Sequence, residues 1–555
     1  MTALDAATHE SLYFDYPQFE SPVPAELTAA GDPIHEVIVV GAGPVGLATA
    51  LDLARRGVKV VVLEAETTIG IGSRAGSLSR RSVEYLASLG IGDEMLAEGM
   101  VYNAGWTYFR DKEIFRLSIP GQPGDQFPPM LKIQQCYIEK YLTDRVSAHP
   151  HIDIRWGHRL ESLRNGPDRV ELDVICPHGT YTACGRYVVG ADGGRGGVRK
   201  QIGQHLEGKT FAASFVVADL KMDVDLPVGR RFWYDPPWNP GGSVIMHLQP
   251  ENIWRFDYSV PAGADEAAEL RRERVAKRVA DHLAWLGWDA PWELDWMTLY
   301  RAHMRIVDKM RVGRTLLAGD AAHLIPIFGV RGLNGGLSDA ANLSWKLARV
   351  VRGQSPDTLL DSYDAEQHMV FAGNVAAADL STRFVCPANA AARTLRDAAL
   401  HLAQRHQTFR PLMDPRQSQP IPLHGSALVE DANPALPLRP GDALPNLRFD
   451  GAGGDAYFIN DLLGPEFTVM HVTVGDSLGI RRRTEDAGAE DITVLEIALP
   501  DGAGGEVGQA LRGLALLIRP DRYVAAAWPS GERADLGALL ARAAGLATAP
   551  TGAAS

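Results

Sequence analysis

Cysteine is scarce in this sequence: four in 555 residues, Cys136, Cys176, Cys184 and Cys386, with no C-x-x-C pair. Such scattered thiols give no disulfide framework and fit a reducing, cytoplasmic setting. The Cys176/Cys184 spacing alone is compatible with a bridged hairpin. Positive charge is also short, with 55 Lys and Arg against 68 Asp and Glu, a net charge of −13. The basic clusters at 271–278 and 481–483 are flanked by acidic residues, so the basic footprint that nucleic acid or an anionic membrane needs is missing. No run of 18 apolar residues exists to span a bilayer. Residues 1–30 hold Asp5, Glu10, Asp15, Glu20 and Glu26 and no apolar core of a secretion signal. No paired His/Cys cluster joins Asp320 and His323, which leaves a metal short of ligands. No internal repeat is visible.

What is present is an ordinary globular composition, 46% hydrophobic and 22% charged, in a chain long enough for roughly two to four units. "EVIVV" (36–40) is a β-branched run and predicts a buried strand. A helix is expected from about Val45 to Arg56, closed by Gly57, and a second strand over 58–64: a βαβ opening. Residues 208–305 alternate and are rich in aromatics, which predicts an antiparallel sheet with a turn at "DPPWNPGG" (235–242). "RTLLAGD" (314–320) predicts one more buried strand, and a long helix is expected from about Gly335 to Val351. Proline density marks a linker at 409–444. A compact α/β unit is expected over 445–542, and a disordered tail over 543–555.

Gly41, Gly43 and Gly46 give G-x-G-x-x-G between the first strand and helix, with Glu64 ending the second strand. Gly41 permits the tight turn, Gly43 lets a pyrophosphate approach the backbone, and Gly46 lets helix and strand pack closely. The helix N-terminus, with Pro44 and Val45, offers free N–H groups to phosphate. Glu64 suits ribose hydroxyls. This constellation predicts a dinucleotide and does not separate FAD from NAD.

Two further motifs follow, "GADGGRGGVR" (190–199) and "GDAAHLIPIFGVRGLNGG" (319–336). With "GAGPVG", in this order over roughly 36–375, the sequence resembles the class A, single-component FAD-dependent aromatic hydroxylases. The resemblance implies a Rossmann-like FAD-binding domain (35–207 and 306–408) interleaved with an antiparallel β-sheet substrate domain (208–305), after an N-terminal extension (1–34). It implies FAD held non-covalently, with Glu64 and Ala65 at the ribose and Arg74 near the pyrophosphate. Gln135 would contact the cofactor, and Asp192 would stand between pyrophosphate and nicotinamide donor. Gly319 and Asp320 would hold the ribitol. Pro326, Gly332, Leu333 and Asn334 would lie along the flavin ring, Pro326 with Ile327 as an apolar wall. Gly335 and Gly336 are expected at a helix start facing the anionic edge of reduced flavin. His323 is expected to be structural.

The family chemistry is NADH or NADPH reducing FAD, then O₂ forming a flavin C4a-hydroperoxide that hydroxylates a small phenolic ring. The protein must position the ring and exclude water. Catalytic candidates are Arg255 and Pro326; Tyr258, Trp233, Tyr234 and His247 are possible pocket residues. "PGDALPNL" and "LLIRPDRYVAAAW" resemble the thioredoxin-like C-terminal domain of the phenol hydroxylase and 3-(3-hydroxyphenyl)propionate hydroxylase branch, here without any cysteine. A structural or homodimer role is expected for that domain. The alternative reading is hydroxylation of a larger polyketide-type aromatic, with another FAD-dependent oxidoreductase behind it.

Overall fold

The computed structural model describes all residues except 1–9, 29–32, 73, 120, 122–123, 262, 415–416, 432, 451–454, 487–490 and 547–555. Parts of the expected lead-in, Ser73 and most of the expected tail therefore lie outside the described residues. In chain order the elements are β1 (Ile34–Val40), α1 (Pro44–Arg55), β2 (Val60–Glu64), β3 (Ala104–Phe109), β4 (Lys112–Ser118), β5 (Met130–Lys132), α2 (Gln135–Ala148), β6 (Ile152–Trp156), β7 (Gly179–Gly190), β8 (Glu207–Met222), β9 (Arg230–Tyr234), β10 (Ser243–Gln249), β11 (Ile253–Ser259), α3 (Arg272–Leu286), β12 (Trp292–Ile306), β13 (Thr315–Leu317), α4 (Arg331–Val351) and α5 (Asp361–Val385). The C-terminal unit adds β14 (Thr468–Val474), β15 (Gly479–Asp486), β16 (Asp491–Leu499), β17 (Leu514–Ile518) and β18 (Val524–Pro529).

β1 is aliphatic and buried over Val37–Val40, and β2 over Val60–Leu63, as strands covered on both faces must be. They sit in the parallel part, ordered β13–β7–β1–β2–β6, of an eight-stranded sheet whose other three strands pair antiparallel, and α1 packs against both α2 and α4. An antiparallel hairpin of the strand Val170–Cys176 with the start of β7 pairs Cys176 with Gly179 and Cys184 with Glu171, so the two thiols are not opposite each other. All four cysteines are free and buried, and the hairpin bridge that the spacing allowed does not form.

The second sheet runs β12–β8–β11–β10–β9–β3–β4. It is antiparallel except at the β9/β3 junction. It is not confined to 208–305: β3 and β4 come from inside the first stretch of the cofactor domain, and His323–Leu324 adds to the β12 edge. One face buries Trp233, Phe256, Tyr258 and Met246 against α3. The other faces the parallel-sheet domain and carries Phe215, Phe232, Tyr234 and Ile245 against Ile325 and Phe328. The expected basic cluster at 271–278 opens α3.

The C-terminal sheet is mixed, ordered β15–β16–β14–β17–β18 with β14 and β16 parallel. It is joined to α4 and α5 by a fully buried ion network. Glu366 accepts from Arg519 Nη1 and Nη2 at 2.6 and 2.8 Å and from Lys346 Nζ at 2.6 Å, while Arg519 also pairs with Asp521. No helix among the described residues is long and apolar enough to cross a membrane.

Candidate active site

Four loops leave the carboxyl ends of adjacent parallel strands. β1 leads into Gly41–Gly46, β2 ends at Glu64, β7 leads to Asp192, and β13 leads to residues 318–330. In an open α/β sheet this edge is where ligands bind. Gly41 has φ +107°, and a Cβ there would lie 2.6 Å from the Ala191 carbonyl oxygen; at Gly46 a Cβ would lie 2.0 Å from the Gly41 oxygen. A side chain at Gly41 would force β1 and the Asp192 loop apart, and one at Gly46 would push α1 off the turn at Gly41. Nothing lies within 4 Å of the Cβ position of Gly43, which is open for a ligand. Pro44 begins α1 and Val45 sits in its first turn.

Glu64 accepts from the Ala42 and Glu66 N–H groups at 2.7 and 3.1 Å, with Ala65 exposed beside it. Burial raises its carboxyl, although those N–H groups oppose the shift. Asp192 Oδ2 accepts from the Val198 N–H at 3.0 Å, and its buried Oδ1 has no partner among the described residues. Asp320 is exposed to solvent, yet enough protein surrounds it that desolvation raises its carboxyl, against the pull of His323 and Arg74. Exposure together with enclosure describes the floor of a deep cleft. A bare backbone at Gly43, an unpartnered Asp192 oxygen and a carboxylate floor at Asp320 fit an extended dinucleotide carrying a polyol. These are FAD's own features.

Three expectations change. The strand over 314–320 is only Thr315–Leu317, because Gly319 has φ +64° and turns the chain, so Asp320 stands on a single helical turn. α4 begins at Arg331, not near Gly335. Gly332, Leu333 and Asn334 are its first turn, while Gly335 and Gly336 lie in the second. Gly336 serves helix packing, since a Cβ there would lie 2.6 Å from Val45 Cγ2 and 3.2 Å from Gly319 Cα. Finally, Trp233 and Tyr258 point away from the cleft into the α3 face, with the Tyr258 hydroxyl donating to the Glu269 carbonyl at 3.3 Å. Strand alternation puts them opposite Tyr234 and Arg255.

Asn334 spends its side chain on protein. Its Oδ1 accepts from the Ser79 N–H at 2.9 Å, and its Nδ2 donates to Ser77 and Val330 carbonyls. This clamps the turn at Val330, a β-branched residue held at φ +57°. Gln135 Nε2 likewise donates to Glu139 at 2.6 Å. His323 is buried and meets Asp339 Oδ2 at 2.7 Å, while the same oxygen accepts from the Gly319 N–H at 2.8 Å. Burial lowers the imidazole, but Asp339 outweighs it and the net shift is upward. Pro326 is buried, and the neighbouring Ile327 N–H donates to the Tyr300 hydroxyl at 3.1 Å.

Across from the cleft, Arg255 is buried and bonds Asp219 Oδ1 at 3.2 Å and the Arg74 carbonyl at 3.4 Å, a link from sheet to cofactor loop. His247 Nδ1 lies 3.1 Å from Lys132 Nζ. The sequence reading missed Lys132, Asp219, Asp257, Asp339 and Arg199. Arg199 ties two motif loops together, donating to the Ala321 and Gly194 carbonyls at 2.8 and 2.7 Å. Arg199 stood inside a motif, and Asp257 lies two residues from the candidate Arg255; the others come from segments with no local signal. A cavity of about 630 Å³ runs along the seam of α4 and the C-terminal unit, and of the residues expected at the cofactor Asn334 and Gly335 border it.

The family model described as "FAD binding domain" matches residues 35–378. A 3-(3-hydroxy-phenyl)propionate/3-hydroxycinnamic acid hydroxylase of Mycolicibacterium smegmatis is 31% identical over 78% of this chain and 76% of its own. The crystal structure of p-nitrophenol 4-monooxygenase from Pseudomonas putida DLL-E4 superposes with a TM-score of 0.60 at 26% identity, covering 70% of this chain and 100% of that one. A flavin-dependent monooxygenase solved with FAD and substrate superposes with a TM-score of 0.75 at 22% identity, over 93% of this chain and 100% of that one.

Proposed function

The chain belongs to the FAD binding domain family, and on that premise we propose that it is an NAD(P)H-dependent monooxygenase that hydroxylates a small phenolic ring. The reading is carried by one observation: the motif loops gather at one edge of the parallel sheet and face a sheet surface that is part apolar and part ionic. The named activities of the hydroxylase and nitrophenol monooxygenase relatives support it.

Bound FAD would accept hydride from the nicotinamide donor and activate O₂. The protein's own tasks are to bind, orient and keep dry. Gly41, Gly43, Gly46 and the start of α1, with Pro44 and Val45, would hold the pyrophosphate, and Glu64 and Ala65 the ribose. Arg74 and Asp192 would flank the phosphates. Gly319 and Asp320 would take the ribitol, and Pro326, Gly332, Leu333 and the main chain of Asn334 the ring. Gln135 would reach the cofactor through its carbonyl oxygen or its second amide N–H, the first being given to Glu139. Arg255 would anchor the sheet to the cofactor loop. The apolar cluster of Phe215, Phe232, Tyr234, Ile245, Ile325 and Phe328 would exclude water from the ring. The C-terminal unit, read as thioredoxin-like, has no cysteine between residues 445 and 542 and takes a structural role.

The test is a panel of phenols assayed for stimulated NAD(P)H oxidation, with oxygenated product identified by mass spectrometry. A purified protein that cannot be reconstituted with FAD, or that hydroxylates no phenol, overturns the reading.

A further inference from the structure

We propose that Asp257 takes the proton from the substrate's ring hydroxyl. This rests on the phenol hydroxylase reading and assigns a residue to a step that reading leaves without one.

The argument begins with strand alternation. Asp257 stands two residues from Arg255 on β11, so both side chains leave the same sheet face, the one on which Arg255 reaches the Arg74 carbonyl. In register Asp257 pairs with Ile245 on β10 and Val217 on β8. Ile245 belongs to the apolar cluster that includes Ile325 and Phe328 from the loop after Asp320. Asp257 thus sits at the junction of the ionic and apolar halves of the face, where a phenol's hydroxyl end would meet its ring.

Asp257 is only 4% exposed, and its Oδ1 has no hydrogen-bond partner among the described residues. Burying such an oxygen without a partner is costly, and a ligand hydroxyl would supply one. The other acidic groups nearby are engaged. Asp219 pairs with Arg255, and Glu139 holds Gln135 and the Gly70 N–H. The charged and titratable groups facing Asp257 are Arg255 on its own strand, Asp219 on β8 and Lys132 on β5. Behind Lys132 stand His247 on β10 and Arg230 on β9. Burial raises the Asp257 carboxyl to about 7, with Arg255 and Lys132 pulling the other way, so it can both hold and release a proton near neutrality.

The step balances within the site. The substrate O–H bond breaks and an Asp257 O–H bond forms. The electron pair stays on the ring oxygen and raises electron density at the ortho and para carbons. The negative charge moves from Asp257 to the substrate, still beside the Arg255 guanidinium, so no net charge enters the buried site; burial first, and then that guanidinium, push the Lys132 ammonium well below the usual lysine range.

The experiment compares wild type and Asp257→Asn as FAD-loaded full-length enzymes. Both are assayed on a phenol that is neutral at the assay pH and on a nitro-substituted phenol that is already ionised. For wild type, product formation from the neutral phenol should fall below an apparent pKa near 7, because the base must be deprotonated to accept. In Asp257→Asn that limb should vanish and the rate drop about 10²- to 10⁴-fold, the usual worth of a general base. The ionised phenol should lose less than about tenfold, since it needs no base. A retained acid limb, or equal losses on both substrates, overturns the proposal. A second measurement needs no variant: in wild type the ionised phenol should lack the acid limb near pH 7 that the neutral phenol shows, and the same limb on both substrates overturns the proposal. Wild type that hydroxylates neither phenol overturns the function reading instead, and this proposal with it.

Discussion

Asp320 is a carboxylate placed for a ligand at the protein's expense. Desolvation raises its carboxyl, so its ionised form disfavours the folded state, and that cost grows as pH rises through its native pKa. Asp320→Asn should therefore raise the melting temperature of the FAD-free protein at pH 8 more than at pH 4, as thermal unfolding would show. The same variant should hold FAD about 10- to 100-fold more weakly in fluorescence titration, the scale of a lost charged hydrogen bond. Asp339 behaves in the opposite sense. It raises His323, so the pair stabilises fully below the imidazole's unfolded value and the gain is lost as pH climbs through the raised one. Asp339→Asn should cost about 3–5 kcal/mol in denaturant unfolding at pH 6, the scale of a broken buried pair, and visibly less at pH 9. Asp320 was legible because it opens a glycine-rich motif. Asp339 and Asp257 were not, since each owes its role to a partner or a neighbouring surface that only folding brings near.

At the scale of elements, the β1–α1–β2 opening was readable because aliphatic runs, Gly57 and the glycine fingerprint all specify the same turns. The start of α4 was not. Five glycines in eighteen residues discourage a helix by propensity, yet α1 and Gly319 reward close packing and the helix extends back to Arg331. Gly336→Ala should then act as overpacking and cost about 1–3 kcal/mol by denaturant titration. Val45→Ala in the same chain should recover part of that loss, because Val45 Cγ2 is the nearest obstacle at 2.6 Å. No recovery would mean that the contact with Gly319 decides the matter.

For the whole molecule, two layers were legible: a parallel sheet from βαβ patterning and a mainly antiparallel sheet from alternation. The recruitment of β3 and β4 into the second sheet was not, because pairing between residues more than a hundred positions apart leaves no local trace. The same holds for the network of Lys346, Glu366, Arg519 and Asp521, whose members read singly as helix or turn charges. Arg519→Gln should lower the melting temperature sharply by leaving Glu366 and Asp521 short of their partner, about 3–5 kcal/mol. Arg483→Gln, which breaks only two exposed pairs, with Glu485 and Glu496, should leave the melting temperature unchanged.

Glu366 also decides which shortened genes can work. A chain ending before Arg519 retains every residue assigned to FAD or substrate, but Glu366 keeps only Lys346 as a charged partner, and Trp345 loses the Asp521 oxygen that its indole N–H donates to at 3.1 Å. A premature stop before Arg519 should then be a loss-of-function allele through folding alone, and in a genetic screen it would score with the catalytic mutants although the cleft sequence is intact.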